Sequence, residues 1–234
     1  MNIAVIGTGA VGQAMSKKLA ELGHQVYMGT RDVGQSLKRK DPDSWGTPGI
    51  GSWIQENPKV ELTSFKTAVE KGRDLLVFAI QGMAAMETLS SIGEELLNDR
   101  VMIDISNPFD FSKGFPPTLS VCNTESLGEQ IQKTFPKLKV VKALNTVSNS
   151  VMVNPGAIEG DHVVFICGND TGAKQKVSTI LESFGWKSEN IIDLGDITSA
   201  RGTEMTLPLW IRLMGKYQSP LFNLNIVKAA APSA

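Results

Sequence analysis

Two features of this 234-residue chain could do chemistry: the glycine-spaced turn Gly7-Thr8-Gly9-Ala10-Val11-Gly12, and the hydroxyl and guanidinium of Thr30-Arg31. The turn follows the apolar run "NIAVI" (2–6) and opens a stretch, 11–22, in which Val11, Met15, Leu19 and Leu22 recur at helical spacing. In a strand–turn–helix unit each glycine has a job. Gly7 permits the tight turn, Gly9 lets a pyrophosphate approach the backbone, and Gly12 allows the helix to pack closely on the strand. The helix N-terminus adds unpaired N–H groups and a partial positive charge, so the ligand that fits is a dinucleotide. Its flavour is set at the end of the next strand-like run, "HQVYM" (24–28). A site for free ribose hydroxyls carries Asp or Glu about 20 residues on. Here that position falls near Met28–Gly29, without a carboxylate, and Thr30 and Arg31 follow. These two suit a phosphate dianion, which points to NADP(H) held through its 2′-phosphate. Asp32 dissents, and is expected to pair with a cation or cap the next turn. Lys38, Arg39 and Lys40, further along, could add charge there, though they read first as a solvated loop.

What is missing is equally informative. His24 lies in a Gly-His turn, His162 starts a strand without an evident acidic partner, and neither Tyr27 nor Tyr217 is followed four residues later by Lys. No catalytic acid or base is therefore identified. Lys142, near the end of a strand, reads equally well as an ordinary strand lysine or as a functional one. A direct hydride transfer between two redox cofactors would need no such group, because the protein has only to hold two rings in contact.

These residues are positioned by alternating strand-like and helical segments. Strands are expected at 2–6, 24–28, 59–62, 74–80, 101–106, 138–144, 162–168 and 190–194, and helices at 11–22, 64–72, 84–97, 125–135, 170–184 and 199–216. Ser126 and Glu129 have capping-box spacing. Residues 32–58 read as an extended loop with one short helix, and 107–123 as a second long loop. Continuous apolar strands alternating with helices predict an α/β fold, a doubly wound parallel sheet covered on both faces. A main domain over 1–145 precedes a smaller C-terminal α/β part over 146–234, packed beside the main sheet.

Composition narrows the partners. The net charge is −1, the apolar fraction is 41 %, and no basic run interleaves with aromatics, so nucleic acid is not expected. No apolar run approaches bilayer-spanning length and no leader pattern opens the chain, so the expectation is a cytoplasmic protein without a membrane partner. Cys122 and Cys167 are far apart and read as reduced thiols, with no metal site expected.

"NIAVIGTGAVG", "GHQVYMGTRD", "ISNP", "KALNT" and "DLGDITSAR" together resemble the coenzyme F-420-dependent NADP oxidoreductases, along nearly the whole chain. The reductase domains of the six-transmembrane metalloreductases are more distantly similar. The resemblance implies a Rossmann domain with a small C-terminal substrate or dimerisation domain, a homodimer, and hydride transfer between NADPH and the deazaflavin in a cleft. By position it implies that Thr8, Gly9, Ala10 and Val11 hold the pyrophosphate and Thr30 and Arg31 the 2′-phosphate. Ala79 and Ile80 would lie against the cofactor, Asn107 and Pro108 would line the path to the nicotinamide, and Ala143, Asn145 and Thr146 would sit beside its ring. The long 32–58 segment and the apolar tail depart from a minimal member; in the tail, Trp210, Leu213, Met214, Phe222 and Leu224 are candidates for core, substrate pocket or dimer surface. Two other functions stay open. One is reduction of a small carbonyl or imine compound, with Lys142, Glu204 or a bound water as acid. The other is a non-catalytic NADP(H)-sensing module.

Overall fold

The structure is a computed structural model and describes residues 1–229; the last five residues of the expected C-terminal part lie outside it. Its centre is an eight-stranded sheet. The first five strands are β1 (Asn2–Ile6), β2 (Gln25–Thr30), β3 (Val60–Ser64), β4 (Leu75–Phe78) and β5 (Val101–Asp104). A small antiparallel ribbon follows, β6 (Phe109–Asp110) with β7 (Thr118–Leu119). The sheet then resumes with β8 (Lys139–Ala143), β9 (Val164–Cys167) and β10 (Ile191–Asp193). Across the sheet the order is β3-β2-β1-β4-β5-β8-β9-β10. Chain order reverses between β1 and β4, which leaves a crevice at their carboxyl ends, where open α/β sheets bind ligands.

Burial explains why these runs are strands. All four residues of β4, and four of five in β1, are buried, as a parallel sheet covered on both faces requires. One face is covered by α1 (Ala10–Glu21), through Met15 and Leu19, and further along by Ile50 and Trp53, Val151 and Met152, and Val177 and Leu181. The opposite face is covered through Ala68 and Val69, Leu89 and Ile92, and Leu127 and Ile131.

Several boundaries differ from expectation for local reasons. The 32–58 segment holds two helices, α2 (Val33–Lys38) and α3 (Ile50–Glu56), where one was expected. Beyond α4 (Phe65–Lys71), the helix expected over 84–97 breaks at Gly93, whose φ of 99° belongs to no helix, giving α5 (Ala85–Ile92) and α6 (Glu94–Leu97). At α7 (Leu127–Thr134) the capping box forms: Ser126 Oγ accepts from the Glu129 N–H at 3.1 Å and donates to the Glu129 carboxylate at 2.8 Å. After α8 (Asn149–Val153) and α9 (Thr171–Ser183), the expected 199–216 helix is divided into α10 (Ala200–Met205) and α11 (Leu207–Tyr217), with Pro208 tolerated in the first turn of the second. The C-terminal strands do not form a separate layer. β9 joins the edge of the main sheet antiparallel to β8, and β10 follows parallel to β9.

The apolar tail folds back on α11. Trp210 and Phe222 lie 5.4 Å apart, and the Val163 N–H bonds the Leu224 carbonyl at 3.0 Å. Leu213, Met214 and Leu224, like that aromatic pair, are half-buried. His162 is structural: its ring contacts the Pro155 carbonyl and Asn223 and packs edge-on to Trp186.

Both cysteines are free; Cys122 is exposed, whereas burial pushes the Cys167 thiol up to about 12. A native-state thiol titration at neutral pH should therefore count one group, with Cys167 appearing only on unfolding; rapid modification of both would contradict the packing of β9.

Candidate functional site: a dinucleotide cleft

The glycine turn is held by close backbone contact. A Cβ on Gly7 would fall on the Ala79 carbonyl, and one on Gly12 on the Gly7 carbonyl. Gly7 also has φ +123°, which a side chain would strain. At Gly9 the same test meets nothing within 4 Å, so that position faces open space. Gly9 is the N-cap of α1 and has no side chain to satisfy the first N–H groups. Free amides, a helix N-terminus and room at Gly9 are what a pyrophosphate needs, and the residues fit it.

Beside the turn is a cavity of about 460 Å³ at the ends of β1, β2 and β4. Thr8, Thr30, Arg31 and Ile80, four of the candidate residues, line it, together with Phe65, Ala84 and Thr88, which were not among the candidates. Ala79 stands behind the turn, its N–H bonded to the Ile6 carbonyl at 2.9 Å. Thr30 is buried, and its Oγ1 lies 2.7 Å from Ser36 Oγ. Arg31 extends into solvent, 70 % exposed, with Glu87 4.0 Å away. Asp32 is spent as a cap: its carboxylate accepts from the Gln35 N–H at 2.9 Å and starts α2.

That cap reorients the rest. It sets Ser36 and Arg39 three residues apart along α2 and its C-terminal end, on the cavity side. Arg39 donates through Nη2 to Thr8 Oγ1 at 3.0 Å and to Ser36 Oγ at 3.2 Å. Arg39 is exposed, as a solvated residue would be, and its head group bridges the glycine turn and Ser36. The Asp32 cap with Ser36 and Arg39 at helical spacing is a local pattern, whereas the contact of Arg39 with Thr8 spans 31 residues.

The long 32–58 segment serves the same place. Gln13, buried in α1, donates to the Thr8 carbonyl at 3.1 Å and to the Pro48 carbonyl at 2.9 Å, and the Gly51 N–H bonds the Arg39 carbonyl at 2.8 Å. The chain is thus drawn across the turn, leaving a second hollow of about 330 Å³ between Gly9 and residues 38–50.

The other predicted residues gather at the ends of β5 and β8. Asn107 Nδ2 donates to the Asn145 carbonyl at 2.9 Å, and Asn145 Nδ2 returns to Asn107 Oδ1 at 3.1 Å. Pro108, Ala143 and Thr146 are buried around them. Leu144 has a left-handed φ of 63°, unusual for a side-chain-bearing residue and costing ~1 kcal/mol, and it makes the turn from β8 into Asn145. Lys142 and Glu204, the candidates for an acid, meet each other: Nζ lies 2.7 Å from Glu204 Oε1 and 3.0 Å from Asp104 Oδ2, all sealed from solvent. Burial alone would lower the Lys142 pKa; the two carboxylates outweigh it and hold it above the ordinary lysine value. None of the three lines the cavity.

The family model described as NADP oxidoreductase, coenzyme F-420-dependent, matches residues 2–108. A crystal structure of a candidate F-420-dependent NADP reductase from Arthrobacter sp. FB24 is 48 % identical, covers 97 % of this chain and 100 % of that one, and superposes with a TM-score of 0.92. The F-420-dependent NADP reductase of Methanothermobacter marburgensis is 25 % identical, covering 91 % of this chain and 92 % of that protein. Rat metalloreductase STEAP3 is 24 % identical over 93 % of this chain, which spans only 38 % of that protein's length.

Arg31→Ala and Arg39→Ala should each weaken NADPH binding about tenfold or more, the loss of a charge-assisted contact worth about 1.5–3 kcal/mol, with little effect on NADH. Titrations showing equal losses for both nucleotides would remove the 2′-phosphate assignment. Gly9→Val should fold normally and fail to bind NADPH, whereas Gly12→Val should lower the melting temperature; the reverse pattern would contradict the turn's geometry.

Proposed function

The chain belongs to the coenzyme F-420-dependent NADP oxidoreductase family and is an NADP-dependent oxidoreductase; from that premise we propose that it exchanges a hydride between NADPH and a planar deazaflavin of the coenzyme F-420 type. The observation that carries this reading is the chemistry at the ends of β5 and β8. The candidate polar groups there are two amides, Asn107 and Asn145, bound to each other, and the Thr146 hydroxyl, while the nearby ionisable side chains of Lys142, Asp104 and Glu204 are sealed from solvent. Such a surface can orient a ring and offer hydrogen bonds, while a proton donor for a carbonyl or imine is not presented.

In this reading Thr30, Arg31, Ser36 and Arg39 hold the 2′-phosphate, and Thr8 to Val11 receive the pyrophosphate at the start of α1. The dinucleotide then runs over β4 towards Asn107 and Asn145. When bound, NADPH supplies a hydride from its nicotinamide ring, and the acceptor takes its balancing proton from water. The protein's part is to fix the two rings in contact and to exclude water between them.

The same reading includes a cytoplasmic homodimer. α11 and the following segment support it with exposed apolar side chains, Leu209 at 54 %, Tyr217 at 62 % and Leu221 at 50 %. Light scattering should give twice the chain mass, and Leu209→Asp should shift the mass to that of one chain; a monomer in the unaltered protein would exclude the dimer.

The functional test is direct. Purified protein mixed with NADPH and oxidised coenzyme F-420 should bleach the deazaflavin absorbance catalytically. Tight NADPH binding with no bleaching would overturn the acceptor. Turnover of a small carbonyl or imine in its place would move the protein to the competing reaction, and binding without any turnover would favour a sensor.

A further inference from the structure

The Asp104–Lys142–Glu204 cluster has a shape that stability alone does not explain. Asp104 and Lys142 are register partners on neighbouring strands, and Glu204 comes from α10. Three acceptors surround the ammonium: Asp104 Oδ2 at 3.0 Å, Glu204 Oε1 at 2.7 Å and the Ser106 carbonyl at 2.6 Å. Asp104 Oδ1 in turn accepts from the Ser106 N–H at 2.9 Å and from its hydroxyl. Glu204 accepts from the Leu127 and Gly128 N–H groups at the start of α7, at 2.8 and 3.1 Å. Both polar groups of the Ser106 backbone are thereby gripped by the cluster, and the next residue is Asn107. Lys142 also lies three residues before Asn145, on the strand that the left-handed Leu144 follows.

Taking three charges out of water costs several kcal/mol per ion, and an apolar trio of similar volume is often at least as stable. What an ammonium with all its donors spent supplies instead is a fixed geometry among separated segments. Here those segments are the end of β5, the end of β8 and the helix carrying Glu204.

We propose that Lys142, with Asp104 and Glu204, is a positioning residue: the cluster clamps the Ser106–Asn107 peptide and, through the Asn107–Asn145 pair, sets the amides that meet the nicotinamide end of the dinucleotide. The inference rests on the route assigned to the dinucleotide above. It gives the buried lysine a role in the reaction without contact with the reacting atoms and without a proton to transfer.

The test compares NADPH with 2′,5′-ADP, which keeps the adenosine and the 2′-phosphate but lacks the nicotinamide. Lys142→Met, Asn107→Ala and the double variant are titrated with both, in the full chain. The expected result is that Lys142→Met leaves 2′,5′-ADP affinity within about twofold, lowers the NADPH to 2′,5′-ADP affinity ratio by about threefold or more, and adds nothing to the effect of Asn107→Ala. A ratio that does not change, or a Lys142→Met effect of the same size in the Asn107→Ala background, would overturn the proposal. Lys142→Met leaves two facing buried carboxylates; if it fails to fold, Glu204→Gln, which keeps an acceptor for the α7 amides, is put through the same cycle with the same criteria. An unchanged ratio in Asn107→Ala itself would overturn the route of the dinucleotide, and the clamp with it. Transferred NOEs from bound NADPH give a further readout: the nicotinamide's orientation about its ribose should broaden into a mixture in the clamp variants and stay single if the cluster serves stability only.

Discussion

Everything in the cofactor half depends on two backbone contacts too close to admit a side chain. At Gly7 the turn rests on the carbonyl of Ala79 at the end of β4, and at Gly12 the first turn of α1 rests on Gly7 itself. Because β1 and β4 are parallel neighbours on either side of the order reversal, that contact places α1's free amides over the crevice. The partial positive charge of the helix start is thus located by steric exclusion, and no charged side chain is spent on it.

Charge is handled in opposite ways at the two ends of the site. Around Thr30 it is open and adjustable: Arg31 stands in solvent and Arg39 rests on neutral hydroxyls that a phosphate can replace. Under Asn107 it is closed and spent, with one ammonium between two carboxylates and a carbonyl. The first arrangement suits a ligand that arrives and leaves. The second suits a surface that must not move while it does, and it ties the C-terminal helices to the ends of β5 and β8.

The sequence made the first of these legible and hid the second. Strand, glycine turn, helix and Thr30-Arg31 are contiguous, so their geometry follows from local rules, and the resemblance extended them across the chain. The contact of Arg39 with Thr8 was not legible because a long segment folds back there, held to Gln13 through the Pro48 carbonyl across 35 residues. The cluster was invisible for the same reason: Lys142 meets Asp104 38 residues away, and Glu204 caps a helix 77 residues away. Spacing rules do not reach so far, and an isolated lysine in a strand looks like any other. The antiparallel junction of β8 with β9 was unreadable as well, since a buried strand has the same apolar run in either direction.

The exposure of Arg31 carries a consequence of its own. At physiological ionic strength the screening length is about 8 Å, so a guanidinium 70 % open to water shares its attraction for a phosphate with the dissolved ions around it. The lysine beneath Asn107, with no solvent access, does not. In the proposed arrangement, dissolved salt would therefore have a say in which nucleotide the protein prefers and none in how the ring end is held, so cofactor choice would belong jointly to the molecule and to the medium it works in.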